Sequence, residues 1–148
     1  MTTGQARDRV CSLVGGSTRL LWDIYPALGD DHLEKAAKFF SDLGGAPVII
    51  VVTVERQADD LARKMALLAA GGAILALQLG LAEEGLGSVC VASATWIEEG
   101  MIRELGLKDQ EVVTVLPVGY PAEEPGAAKA RLDRVTWLES WPAAPPGT

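Results

Sequence analysis

The sequence predicts an α+β fold, an α/β-layered arrangement of one sheet and its helices in a single domain. Three observations carry this. Two β-branched runs, PVIIVVTV at 47–54 and EVVTVLPV at 111–118, read as core strands. Between them Gln57 to Glu84 forms one long apolar stretch rich in alanine and glycine, too long for a strand and patterned as a helix. Strand-like and helix-like segments also alternate along the chain. With 148 residues, 49% of them hydrophobic, there is enough apolar side chain for a real core.

In chain order, Gln5–Val14 forms a short helix with Val10, Leu13 and Val14 on its apolar side, broken by Gly15–Gly16. Arg19–Tyr25 is a second short helix, stopped by Pro26. Asp30 or Asp31 caps a third, in which Leu33, Ala36, Ala37, Phe40 and Leu43 repeat at spacings of three and four, and Gly44–Gly45 ends it. The first strand, 47–54, has the pattern of one covered on both faces. The long helix follows, with Asp59 and Asp60 at its positive end. Glu83 and Glu84 occupy the end that disfavours carboxylates, with no compensating residue in sequence. Ala66, Ala69, Ala73, Ala76 and Gly80 form a small-residue stripe that lets another backbone approach closely, and Leu68, Leu75 and Leu79 lie on a neighbouring face. A helix apolar on nearly every side is buried on every side, and a small domain has too little material to do that alone. Part of this surface is therefore expected to meet a partner subunit.

Gly85-Leu86-Gly87 closes the helix, and SVCVA at 88–92 reads as a second core strand. Thr95-x-x-Glu98 has the form of a capping box, opening a helix that Gly106 ends. After the strand at 111–118 come a Gly119-Tyr120-Pro121 turn, a loop, and a strand-like RVTWLESW at 134–141. Residues 1–141 are read as the domain, and PAAPPGT at 142–148 as a disordered tail.

The net charge of −7 argues against nucleic acid or an anionic membrane as partner. Cys11 and Cys90 show no metal-site or disulfide spacing, so a reduced cytoplasmic protein is the simplest reading. The single histidine, His32, rules out mechanisms that need two. No secretory signal is visible at the polar N-terminus. Met65–Ala82 only reaches the lower limit for a membrane span, and Gln78, the glycines and the flanking glutamates weaken that reading.

No nucleophile elbow, P-loop or zinc-hydrolase motif is present, and no catalytic side chain or metal site is assigned. The Gly85/Gly87 pair does not complete a dinucleotide fingerprint and follows a helix instead of a strand. Cys90, in an apolar run without basic neighbours, reads as a buried packing residue. Lys129 and Arg131 would suit a phosphate if they converged; taken alone they read rather as a solvated pair.

The order APVIIVV, alanine-rich helix, GLGSVCVAS, IEEGMIRELGL, EVVTVLPVGYPAEEP and KARLDRVTWLESW, over Ala46 to Trp141, resembles the second half of the FMN-dependent nitroreductase family. The resemblance implies a mixed β-sheet flanked by helices, with a long buried central helix near the two-fold axis of an intertwined homodimer. It implies FMN at the subunit interface, with Val91, Ala92 and Ser93 lining the isoalloxazine ring and Lys129 and Arg131 taking the phosphate. RVTWLESW would reach across to the partner's sheet. The implied activity passes electrons from NAD(P)H through the flavin to small nitroaromatic or quinone-like acceptors, chemistry in which the flavin does the reacting and few side chains are needed. Against the family pattern the chain starts one strand late. The family's arginine–serine–arginine cluster and Asn-Gln-Pro-Trp stretch have no counterpart, and Arg7-Asp8-Arg9 and Ser17-Thr18-Arg19 are only loosely similar. The alternative is therefore a shortened, flavin-poor relative, a dimeric binding or structural protein or one completed by a partner chain.

Overall fold

The computed structural model describes residues 2–123. In order, α1 spans Gly4–Gly16, α2 Arg19–Ile24, α3 Asp30–Asp42, β1 Val48–Glu55, α4 Asp60–Glu83, β2 Gly87–Ser88, α5 Glu98–Leu105 and β3 Gln110–Gly119. Short 3-10 turns fill Pro26–Leu28, Leu43–Gly45 and Ala92–Ile97. The fold is α+β. β3 is the middle strand, antiparallel to β1 on one side and to β2 on the other. Among the described residues the ladder is wholly antiparallel. Its register slips at Val52/Thr53, leaving Val113 as an extra residue on β3, a bulge that bends the strand. On the far edge of β1, Thr2 alone of the described residues pairs, exchanging two backbone hydrogen bonds with Ile49.

One face of the sheet carries the core. Val10, Cys11 and Val14 of α1 and Met101 of α5 pack with Leu43, Ile49, Val91, Ala94, Val112 and Val115, and Leu13, Phe39 and Ile97 close its rim. The Arg7 side chain ties α1 to the turn before β1, with Nε donating to the Ala46 carbonyl at 3.0 Å and Nη2 to that of Asp42 at 3.1 Å. The other face is covered by α4. It starts at Asp59, whose carboxylate accepts from the Ala62 N–H at 2.8 Å, as expected of an acidic N-cap. The Arg63 guanidinium grips the Glu111 carboxylate of β3 through two nitrogens, one of them at 2.8 Å, and only Ala70 and Ile74 of α4 are buried.

The structure departs from the pattern of the residues in five places. Gly15–Gly16 does not break α1, which runs through both. A Cβ on Gly15 would lie 3.4 Å from Ser41 Cα, so this glycine serves a close crossing of α1 and α3. β1 is half-buried along most of its length instead of covered on both faces, because α4 reaches only part of its outer side. The expected strand 88–92 shrinks to Gly87–Ser88. Pairing then lapses, and Val91 returns as one isolated bridge to Val115. The capping box does not form. The Thr95 hydroxyl donates to the Ala92 carbonyl at 2.9 Å, and Glu98 is drawn to the sheet, accepting from Arg56 at 2.8 Å and from the Val112 N–H at 3.3 Å. Finally, among the described residues α4 is covered on its sheet side only. Leu61, Met65, Leu68, Leu75 and Leu79 are exposed. The expected strand 134–141 and the division at residue 141 lie outside the described residues.

Candidate functional site

The site begins where α4 ends. Gly85 takes a left-handed φ of 73°, a conformation open to glycine, and turns the chain so that the Leu86 N–H donates to the Leu81 carbonyl at 2.8 Å. The following residues run along the edge of the sheet beside β3. Gln78 of α4 steadies them, its side-chain amide donating to the Ser88 carbonyl at 3.4 Å. Cys90 lies 3.8 Å from the Gln78 side-chain oxygen and is exposed, which corrects the reading of it as a packing residue. At this sheet edge none of the described residues covers it. Cys11 is the buried thiol, and burial pushes its pKa up, keeping it protonated and inert.

Val91, Ala92 and Ser93 come next, and they differ. Val91 is buried, its N–H donating to the Val115 carbonyl at 2.9 Å and its own carbonyl accepting from Ala94. Ala92 is exposed and opens the 3-10 turn. Ser93 is buried, and its hydroxyl has no hydrogen-bond partner among the described residues. The N–H groups of Ala92 and Ser93 also have no backbone partner among the described residues. They are the orphan donors that the start of any helical turn leaves free. This stretch therefore presents a small side chain and two backbone donors on a firmly packed base. It can receive the edge of a flat, acceptor-bearing ring with a side chain no bulkier than a methyl group in the way.

An open cleft of about 370 Å³ lies further along the same edge, between the turn that precedes β1 and the end of β3. Phe39, Leu43, Pro47, Val89, Tyr120 and Pro121 are among its walls, and among the described residues no charged side chain lines it. The described lining suits apolar surface. Of the N-terminal arginines, Arg7 is taken up by Asp8 and two carbonyls, and Arg9 by Glu104 at 2.7 Å. Lys129 and Arg131 lie outside the described residues, so the structure brings Val91, Ala92 and Ser93 together but says nothing of the phosphate pair. The orphan N–H groups could not be singled out from sequence, since the expected strand would have paired them.

No curated protein matches this chain. Solved structures do. A nitroreductase-like family protein from Bacillus cereus superposes with a TM-score of 0.67 at 24% identity, covering 93% of this chain and 71% of that one. The FMN and NADPH-dependent nitroreductase NfnB from Sphigopyxis sp. strain HMH gives 0.69 at 20% identity, covering 95% and 78%. A BluB-like flavoprotein from Clostridium difficile 630 gives 0.67 at 14%, covering 90% and 75%. At such identities these likenesses establish a shared fold. The sequence profile of the nitroreductase family matches residues 8–120, from α1 through the edge segment to the end of β3. That match takes in most of the chain and every element that builds the site, and by it this chain belongs to the nitroreductase family.

Proposed function

We propose that the protein is an FMN-dependent oxidoreductase of nitroreductase type, a homodimer that passes electrons from NAD(P)H to small electrophilic acceptors such as nitroaromatics and quinones. The family match over residues 8–120 carries this reading. The FMN and NADPH dependence of the Sphigopyxis neighbour is in line with it. So are the free N–H groups at Ala92 and Ser93.

In this reading a bound flavin supplies the redox chemistry, taking hydride from the nicotinamide and handing electrons to the acceptor. The chain's part is to bind and orient. The N–H groups of Ala92 and Ser93 would donate to acceptor atoms of the flavin, and the small Ala92 side chain would leave it room. Buried Val91 and Ala94 back the segment and would keep these donors in place. Lys129 and Arg131 would hold the phosphate, where two cations on one anion bind more strongly than one. No acid–base side chain is required of the protein. Both cysteines are free thiols, in keeping with a reduced cytoplasmic setting.

A second reading, a flavin-poor dimeric relative, is favoured by one observation: Arg7 and Arg9 are already engaged by partners within the chain. Titration of the purified protein with FMN, followed by quenching of flavin fluorescence, decides between the two. Saturable binding that Lys129→Ala/Arg131→Ala weakens by at least about tenfold, as expected for lost charged hydrogen bonds, supports the oxidoreductase. Colourless protein that takes up no FMN overturns it.

A further inference from the structure

We propose that the cleft between α1 and the start of α5 binds a flat, uncharged aromatic ring bearing a nitro group, with Trp96 as its wall and Arg103 as the partner of the two oxygens. This gives the acceptor of the reading above a place and a selectivity. It rests on that reading only for the ligand's role as electron acceptor; binding itself needs no flavin.

The cleft has a volume of about 480 Å³, within the range of about 300–1,000 Å³ of small-molecule sites. Leu13 of α1 forms one side, Thr95 and Trp96 of the 3-10 turn a second, and Glu99, Gly100 and Arg103 of α5 a third. That turn opens with Ala92 and Ser93, whose N–H groups have no backbone partner among the described residues. At the rise of about 2 Å per residue of a 3-10 helix, Trp96 follows Ser93 by about 6 Å. The Thr95 hydroxyl, donating to the Ala92 carbonyl at 2.9 Å, ties the cleft wall to the start of the turn. A ligand in the cleft therefore lies beside the segment assigned to the flavin.

The wall is aromatic and braced. Trp96 is half-buried, and Tyr25, just after α2, packs on it with ring centroids 6.2 Å apart and planes tilted by 39°. A ring held in this way can take up a second flat ring without first having to be ordered, and aromatic pairs gain more than the area they bury. Gly100 keeps the space open, since a Cβ there would already lie 3.3 Å from Leu13 Cδ2.

The charges around the cleft select. Glu98 is spent, its carboxylate accepting from Arg56 at 2.8 Å and from the Val112 N–H at 3.3 Å. Glu99 and Arg103 are exposed, and neither makes an ion pair among the described residues although one helical turn separates them. The guanidinium fork matches a planar group with two oxygens, a description that fits nitro and carboxylate alike. Glu99 separates the two. Its carboxylate repels a benzoate-like anion and leaves a neutral nitro compound alone. The net charge of −7 acts in the same direction.

The test titrates the full chain with nitrobenzene, benzoate and toluene. Binding is read by NMR from the ligand protons, and the Trp96 indole N–H, assigned through Trp96→Leu, reports whether it occurs in the cleft. Nitrobenzene is expected to bind saturably with a shift of that N–H, and toluene, without the two oxygens, at least about tenfold more weakly. Arg103→Gln is expected to weaken nitrobenzene by the same factor, and Trp96→Leu to weaken it about fivefold through the lost aromatic pair. Glu99→Gln is expected to move nitrobenzene less than about twofold and to strengthen benzoate about fivefold, a discrimination that a merely structural carboxylate would not produce. No saturable nitrobenzene binding, an unchanged affinity in Arg103→Gln, or wild-type preference for benzoate overturns the proposal. If circular dichroism finds Trp96→Leu unfolded, the two exposed α5 variants decide the matter. Protein that takes up FMN but not nitrobenzene overturns the cleft and leaves the flavin reading standing. Protein that binds nitrobenzene at Trp96 but takes up no FMN supports the cleft and overturns the flavin reading.

Discussion

The two faces of the sheet are finished differently. On the side of α1 and α5, Val10, Val14, Ile49, Met101 and Val115 are wholly out of water, and the layer is closed by side chains of the same chain. On the side of α4 the layer formed by the described residues is one helix thick, and they leave the helix's outer half bare although it is as apolar as its inner half. The first face is a folding core. The second has the composition of a core that no described residue covers from outside. Burial, rather than hydrophobicity, separates the residues that form the core from those left open.

Substitutions on the two faces break that contrast apart. Met101→Ala, at a fully buried site of α5, is expected to cost about 2–5 kcal/mol of unfolding free energy from lost transfer and the cavity left behind. Leu68→Ser, on the bare face, is expected to stay within about 0.5 kcal/mol in the monomer and to act on association alone. Urea unfolding run beside sedimentation checks both. Comparable losses of folding stability at the two sites would erase the distinction.

A smaller effect sharpens how α4 is joined to the sheet. The Arg63 guanidinium beside Glu111 holds its carboxyl below the usual range. A group depressed in the folded state stabilises fully above its unfolded value, about 4.3 for glutamate. That contribution is lost as pH falls through the depressed folded value. Glu111→Gln is therefore expected to cost about 1–2 kcal/mol near neutrality. The gap to wild type should close progressively below about pH 4.3. A gap that persists unchanged at pH 3 would mean that the pair is not what ties α4 down. The smallest expected effect lies away from both faces. Asp109 takes a left-handed φ of 54° in the turn into β3. Asp109→Gly should gain about 0.5 kcal/mol by relieving it, visible as a rise in the thermal midpoint.

Much of this was legible in the residues. The β-branched runs became β1 and β3, and the alanine-rich stretch became α4 from Asp60 to Glu83, because long patterned segments announce their own structure. The family was also readable, in the order of GLGS, the LGL turn and the Leu-Pro-Val-Gly-Tyr-Pro run. The edge segment was not. SVCVA has strand composition throughout. Whether Val89 and Cys90 pair depends on what lies beside them, and at this edge nothing among the described residues does. Gly15 looked like a helix breaker and proved to be a crossing point, a distinction that only the position of Ser41 makes.

Local chemistry, acting over one or two helical turns, is what the sequence determined by itself: the two long strands, the long helix with Asp59 and Asp60 at its positive end, and that its surface is apolar nearly all round. Tertiary structure decided which of those apolar residues are covered. Ala70 and Ile74 are buried and Leu68 and Leu75 are not, because a flat sheet touches only one side of a cylinder. It likewise decided that the Ala92 and Ser93 N–H groups find no backbone partner among the described residues, since the lapse in pairing after Ser88 depends on long-range neighbours that no local pattern encodes.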